Sequence, residues 1–243
     1  MDQEKSPNYS RDIKIASYDV DQNNTLRVSC MMQYFQQIAR ENLDMFGLTY
    51  DFLRENDIVF VLSRYSIKQS APLYADRTYT FRTSPSLIHG PYFIRDFAVT
   101  DKNGNTLVLA STAWVIIHYS DRRILRPNAL PIQIPIGTRL CDFIPDKTDV
   151  RENSDYHYNV RVVNSLLDSN NHLNNCHYMD LLIDGLYEND LSVDYSEFHL
   201  NYVHEAHYDD ELMIDYAVEN NSVYVRVANI TQNSTCFTAV LLK

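Results

Sequence analysis

The sequence predicts an α+β chain of two tandem units, each a long helix packed on an antiparallel sheet. Three observations point there. A polar stretch occurs twice, as Asp21-Gln22-Asn23-Asn24-Thr25-Leu26 and, at an offset of 147 (Asp21 to Asp168), as Asp168-Ser169-Asn170-Asn171-His172-Leu173. Each copy precedes an apolar stripe at helical spacing, and each stripe precedes four strand-like runs, so one supersecondary unit is repeated. The composition, with only 5 Gly but 18 Tyr and 10 Phe, favours long β-rich elements.

Taken in order, residues 1–10 read as a disordered or docking tail and residues 13–19 as a strand. Ser29 is the expected N-cap of a helix whose stripe is Met31, Met32, Phe35, Ile38, Ala39, Leu43 and Phe46, with Gly47 ending it. A short second helix is expected over 51–56. Strands follow over 60–69, 78–86, 92–100 and 106–119, the last two joined by a hairpin with Asn103-Gly104 at its tip. The stretch 126–150 holds Pro127, Pro131, Pro135 and Pro145, shows little periodicity, and reads as a linker over the surface.

The second unit repeats the order. A strand is expected over 159–167 and a helix over 176–187, with Tyr178, Met179, Leu182 and Leu186 facing the core and Gly185 fraying its end. Strands are expected over 197–203, 212–219, 223–231 and 236–242, with a tight turn at Asn220-Asn221. The domain reading is therefore a first unit over 1–130, a linker over 131–155 and a second unit over 156–243. One helix per sheet buries its stripe best when the sheet curls around it, and pairing two such units edge to edge removes exposed edges. That arrangement is a hot dog fold, doubled within one chain.

A net charge of −11, with no Lys/Arg-dense arm, argues against a nucleic-acid partner. Cys30, Cys141, Cys176 and Cys236 lack disulfide-like or metal-like spacing, which predicts free thiols in a reducing, cytoplasmic setting. The polar start carries no signal peptide, and no apolar run approaches the ~20 residues of a membrane span. No phosphate loop, metal-ligand spacing or serine elbow occurs, so neither cofactor nor metal is expected.

The chemistry gathers in the second copy of the polar stretch. If the segment stays extended as it leaves its strand, Asp168, Asn170, His172 and Asn174 share one face beside a helix N-terminus. The first copy has Thr25 where the second has His172. The shared Asp-x-Asn-Asn-x-Leu part is thus a turn and cap signal, and what only the second copy carries is the candidate for chemistry. At a second point of divergence, Ala71-Pro72-Leu73 corresponds to His204-Glu205-Ala206, and Glu205 with His172 makes a general-base couple. Taken alone, His204, Glu205 and His207 read as surface groups. Asp168 has an equal claim as a turn residue, and Cys176 reads as a small buried thiol more readily than as a nucleophile.

Asp168-x-Asn170-x-His172-x-Asn174-Asn175-x-x-Tyr178, followed by Glu205, resembles the acyl-acyl carrier protein thioesterases, the plant chain-terminating enzymes and their bacterial relatives. Tyr18-Asp19-Val20-Asp21 and the helix after it add to the resemblance, which spans nearly the whole chain. It implies the double hot dog fold, hydrolysis of fatty acyl-acyl carrier protein, and functional residues at Asp168, Asn170, His172 and Glu205; the acyl tail is expected in an apolar tunnel between helix and sheet. The plant proteins carry a cysteine directly after that Glu, whereas this chain has Ala206, so its chemistry would not need that thiol. The implied partner is the acyl carrier protein. A coenzyme A thioesterase and a non-catalytic acyl-binding module are the alternatives; chain-length preference is not legible, and a homodimer stays open.

Overall fold

The computed structural model describes residues 6–151 and 153–243. The first five residues of the expected tail lie outside them. The chain divides into two compact units: one takes the residues up to Ser63 together with Gln69–Pro145, and the other takes Arg64–Lys68 with Asp146–Lys243. Among the described residues no helix is long and apolar enough to cross a membrane.

In the first unit β1 (Tyr9–Lys14) precedes α1 (Val28–Met45) and the short α2 (Tyr50–Glu55), then come β2 (Ile58–Gln69), β3 (Thr78–His89), β4 (Tyr92–Thr100), β5 (Thr106–His118) and the two-residue β6 (Ile124–Leu125). The second unit repeats the pattern with β7 (Tyr156–Arg161), α3 (His177–Glu188), β8 (Glu197–Tyr202), β9 (Glu211–Glu219), β10 (Ser222–Asn229) and β11 (Ser234–Leu242). The strand orders match position for position, β1-β3-β4-β5-β2 against β7-β9-β10-β11-β8. Residues 64–68 of β2 are assigned to the second unit, where they pair antiparallel with β8.

The helix stripe is buried as expected. Phe35 of α1 sits 5.6 Å from the Phe81 ring and 4.7 Å from the Phe97 ring, measured between centroids. Asn42 is polar on that face because its Oδ1 accepts a 2.9 Å hydrogen bond from Arg95 Nη1, and Thr83 Oγ1 accepts a second at 3.1 Å. Burial pulls the Arg95 guanidinium down to about 9. On α3 the Tyr178 ring stacks on Phe237 at 4.9 Å and 17°. Gly47, with φ at 82°, closes α1 in the left-handed region, and Gly104 (φ 84°) does the same at the hairpin tip.

Several elements differ from the sequence expectation. Tyr9 already pairs with Thr83, so the described part of the expected tail enters the sheet, and β1 ends at Lys14 well before residue 19. The strand before the second polar stretch likewise ends at Arg161, and residues 162–167 lie outside it. Ser29 is not the N-cap. The preceding turn ends early enough for α1 to start at Val28, and Ser29 is buried on the helix's inner face. The 126–150 stretch has only a short 3-10 turn, yet it is tied down: Leu130, Ile134 and Cys141 are buried, and Arg139 pairs with buried Asp96 at 2.8 Å.

Gly185 does not fray α3. It lies where the helix presses hardest on its sheet: a Cβ there would meet the Tyr216 hydroxyl and come within 2.8 Å of Tyr158 Cβ. That hydroxyl donates to the Leu182 carbonyl at 2.9 Å, so it cannot simply swing aside. Helix propensity alone would favour Ala. We expect Gly185→Ala to destabilise the protein instead, by about 1–3 kcal/mol from overpacking. Urea unfolding checks this, and an unchanged or raised midpoint would refute it.

Candidate active site

The two polar stretches fold into the same turn. Asp21 N donates to the Thr25 carbonyl and Asn24 N to the Asp21 carbonyl; Asp168 N donates to His172 O and Asn171 N to Asp168 O in the same way. Each Asp carboxylate accepts two backbone amides, Asn23 and Thr25 in the first copy (2.9 Å each), Asn170 and His172 in the second (2.8 and 3.2 Å). Asn24 and Asn171 hold nearly the same left-handed φ, 63° and 61°. These are Asx turns, which the short side chains of Asp and Asn build by bonding nearby backbone. The extended geometry that would set Asp168, Asn170, His172 and Asn174 on one face is therefore absent. Asp168 spends its carboxylate on the turn and reaches His172 only through the backbone.

The turn docks on the loop before β9 or β3 in a matching way. Leu26 N donates to the Leu73 carbonyl at 2.7 Å, and Leu173 N to the Ala206 carbonyl at 2.8 Å. Thr25 bridges Tyr74, and His172 bridges His207. The first unit thus presents Thr25, Pro72 and Tyr74 where the second presents His172, Glu205 and His207, at a common offset of 133 in that loop (Pro72 to Glu205).

In the second unit this docking brings His172 Nε2 to 3.3 Å from Glu205 Oε2. The imidazole is mostly buried and the carboxylate over a third exposed, at 18% and 38%. Asn170 is half-buried, and among the described residues its side-chain amide has no hydrogen-bond partner. The start of α3 is braced from behind, since Tyr202 Oη donates to the Asn175 carbonyl at 3.0 Å. Asn174 turns inward on its own backbone: its Oδ1 accepts from Cys176 N at 2.9 Å and its carbonyl from His177 N at 2.9 Å. Those two amides at the helix start are consequently occupied.

His204 belongs elsewhere, with Nδ1 2.8 Å from the Thr235 carbonyl. His207, read from sequence as a surface group, is part of the cluster. Its ring stands edge-on to His172, 4.9 Å between centroids, and a ring nitrogen of each histidine and a Glu205 carboxylate oxygen lie within 4.8 Å of one another. The only sequence signal for it is its place two residues after Glu205, on the same side of an extended loop.

All four cysteines are buried and free, Cys176 at 2% exposure. Burial pushes the Cys141 thiol up to about 12 and raises Cys236 as well, which disfavours the thiolate form a nucleophile needs. Ala206, where the plant enzymes have cysteine, is fully buried. Tyr178 is raised by burial next to Cys236, and so stays a neutral core phenol.

Comparison with known proteins bears on the family and the fold. The model of the acyl-ACP thioesterase N-terminal domain matches residues 6–128, and that of the acyl-ACP thioesterase C-terminal domain matches residues 147–238. Among solved structures, an acyl-ACP thioesterase from Bacteroides thetaiotaomicron is 21% identical, with a TM-score of 0.86 over 97% of each chain. A 12:0-ACP thioesterase from Umbellularia californica is 20% identical, with a TM-score of 0.82 over 98% of this chain and 97% of that one. These likenesses establish the double hot dog fold. No curated protein matches the sequence.

A thiol-independent site makes a direct forecast. Cys176→Ser should leave turnover within several-fold of wild type, since the buried thiol has no access to a substrate carbonyl. A loss on the order of a thousandfold, with the circular-dichroism spectrum intact, would identify Cys176 as the nucleophile.

Proposed function

The chain belongs to the acyl-ACP thioesterase family and hydrolyses fatty acyl thioesters of acyl carrier protein, and we propose that Glu205 and His172 carry that reaction by driving direct attack of water. The observation behind this reading is the 3.3 Å contact of His172 Nε2 with Glu205 Oε2 in a partly exposed cluster. With Glu205 ionised, the proton on that line belongs to His172 Nε2, so the imidazole donates and orients the carboxylate.

Glu205 takes a proton from water as its oxygen bonds to the thioester carbonyl carbon. The carbonyl π pair moves onto oxygen, and the unpartnered Asn170 amide supplies a donor to that oxyanion. Collapse of the tetrahedral intermediate breaks the C–S bond. Glu205 returns the proton to the leaving phosphopantetheine sulfur, giving fatty acid and free carrier. Asp168 is a positioning residue that fixes the turn carrying Asn170 and His172. In the first unit Thr25 and Pro72 offer neither an imidazole nor a carboxylate, so that place is inert and the chain has one site. Four free thiols suit a reducing cytoplasm.

Glu205→Ala and His172→Ala should each lower kcat by on the order of 10²- to 10⁴-fold, while Thr25→Ala stays close to wild type. Steady-state assays on a pure acyl-carrier substrate decide it. Near-normal turnover in Glu205→Ala would remove Glu205 as the base.

Recognition of an acidic carrier by a chain of net charge −11 needs a local basic patch. Arg64 and Lys68 already face Asp146 (3.7 Å) and Glu197 (3.2 Å). A second cluster is Arg122, Arg123 and Arg126; Arg123 faces Asp121 at 3.8 Å, and Arg126 borders a groove of about 530 Å³ lined by Ile88, Pro91 and Pro127. We expect charge reversal at these arginines to raise KM more than it lowers kcat, with the effect shrinking in high salt. An unchanged KM for all three reversals would refute this docking face.

A further inference from the structure

The oxyanion needs more than one donor, and two amides at the start of α3 are committed to Asn174. His207 is well placed to supply another, and the chain itself fixes which of its nitrogens carries the proton. Asp210 is buried, at 5% exposure, and its Oδ2 accepts from His207 N at 2.8 Å, Asn229 Nδ2 at 2.7 Å and Gln232 Nε2 at 2.8 Å. A carboxylate only accepts, so Gln232 must present its NH₂ to Asp210; the flipped amide would set oxygen against oxygen. The second hydrogen on Gln232 Nε2 then reaches His207 Nδ1, 3.1 Å away. Asp210 Oδ2 itself is 3.9 Å from Nδ1, too far to bond it. Nδ1 therefore accepts, and the neutral ring carries its proton on Nε2.

We infer that His207 is a further catalytic residue, a neutral Nε2–H donor to the thioester carbonyl oxygen as it becomes an oxyanion. The residue lies in the cluster where this is needed, bridged to His172 through the backbone, with a ring nitrogen within 4.8 Å of a His172 ring nitrogen and a Glu205 carboxylate oxygen. Two histidines and a carboxylate so close together also resemble a metal site. A metal needs a lone pair on a ring nitrogen, but here Nδ1 already accepts from Gln232 and Nε2 holds the hydrogen, so the Gln232–Asp210 relay selects the donor role. No bond to His207 forms or breaks; its proton is shared and retained.

The inference rests on Glu205 as the base, and kinetics separate the two. Turnover and KM are measured across pH on an acyl-carrier substrate for His207→Phe, His207→Gln and Gln232→Glu. His207→Phe should lower kcat by about 10²-fold, with KM within about threefold, as for a donor acting only in the transition state. His207→Gln keeps an N–H and should recover about tenfold of that loss. Gln232→Glu places an acceptor at Nδ1, drives the proton there, and should lower kcat and add an ionisation to the pH profile. A His207→Phe variant within about threefold of wild type, a change confined to KM, or a His207→Gln variant no better than His207→Phe would overturn the donor role. So would stoichiometric zinc in the purified protein that His207→Phe loses. Failure of Glu205→Ala to impair turnover would remove the base alone, and an impaired Glu205→Ala beside a normal His207→Phe would remove only the donor.

Discussion

One short backbone pairing holds the site together. Leu173 N donates to the Ala206 carbonyl, and His172 bridges His207 beside it. Two segments far apart in sequence thereby become neighbouring strands for a single residue pair, and their side chains meet at the spacing of cross-strand partners. Without that pairing neither His172 nor Glu205 has a fixed position, because both sit in loops. The Asx turn of Asp168 and the brace from Tyr202 to Asn175 serve it by setting the direction from which Leu173 arrives.

The duplicated fold supplies its own control. Leu26 pairs with Leu73 as Leu173 pairs with Ala206, with the same turn and the same left-handed asparagine before it. Scaffold and chemistry are thus separable. The Asp carboxylate, the asparagine in the left-handed region and the buried leucine build the junction in both units, whereas imidazole and carboxylate occur in one. Asp168 belongs with the scaffold. A carboxylate that already accepts two amides within its own turn is a poor candidate to bond a substrate as well.

Periodicity and the repeat made the fold legible, because each helix stripe and each strand run is long enough to average over local irregularity. The ends of elements were less so: Ser29 has the chemistry of a cap but lies on the buried face, and Gly185 has the chemistry of a helix breaker but fills a space only glycine fits. In both places tertiary packing overrides local propensity. Within the site, His172 and Glu205 could be singled out because the first copy lacks them. His207 could not, since its role depends on Gln232 and Asp210, which sequence leaves in separate strand-end turns and only the folded sheet brings to its ring. The period-two argument for Asp168 failed because five polar residues in a row, Asp168 to His172, favour a turn over a strand.

The central claim is that His172 and Glu205 act as one catalytic unit, and a double-mutant cycle on kcat measures this most directly. If they do, the His172→Ala/Glu205→Ala protein turns over acyl-carrier substrate at about the rate of the slower single variant, because removing either partner already disables the pair. Losses that multiply, so that the double variant is slower by the product of the two single effects, would show two independent contributions and contradict the account.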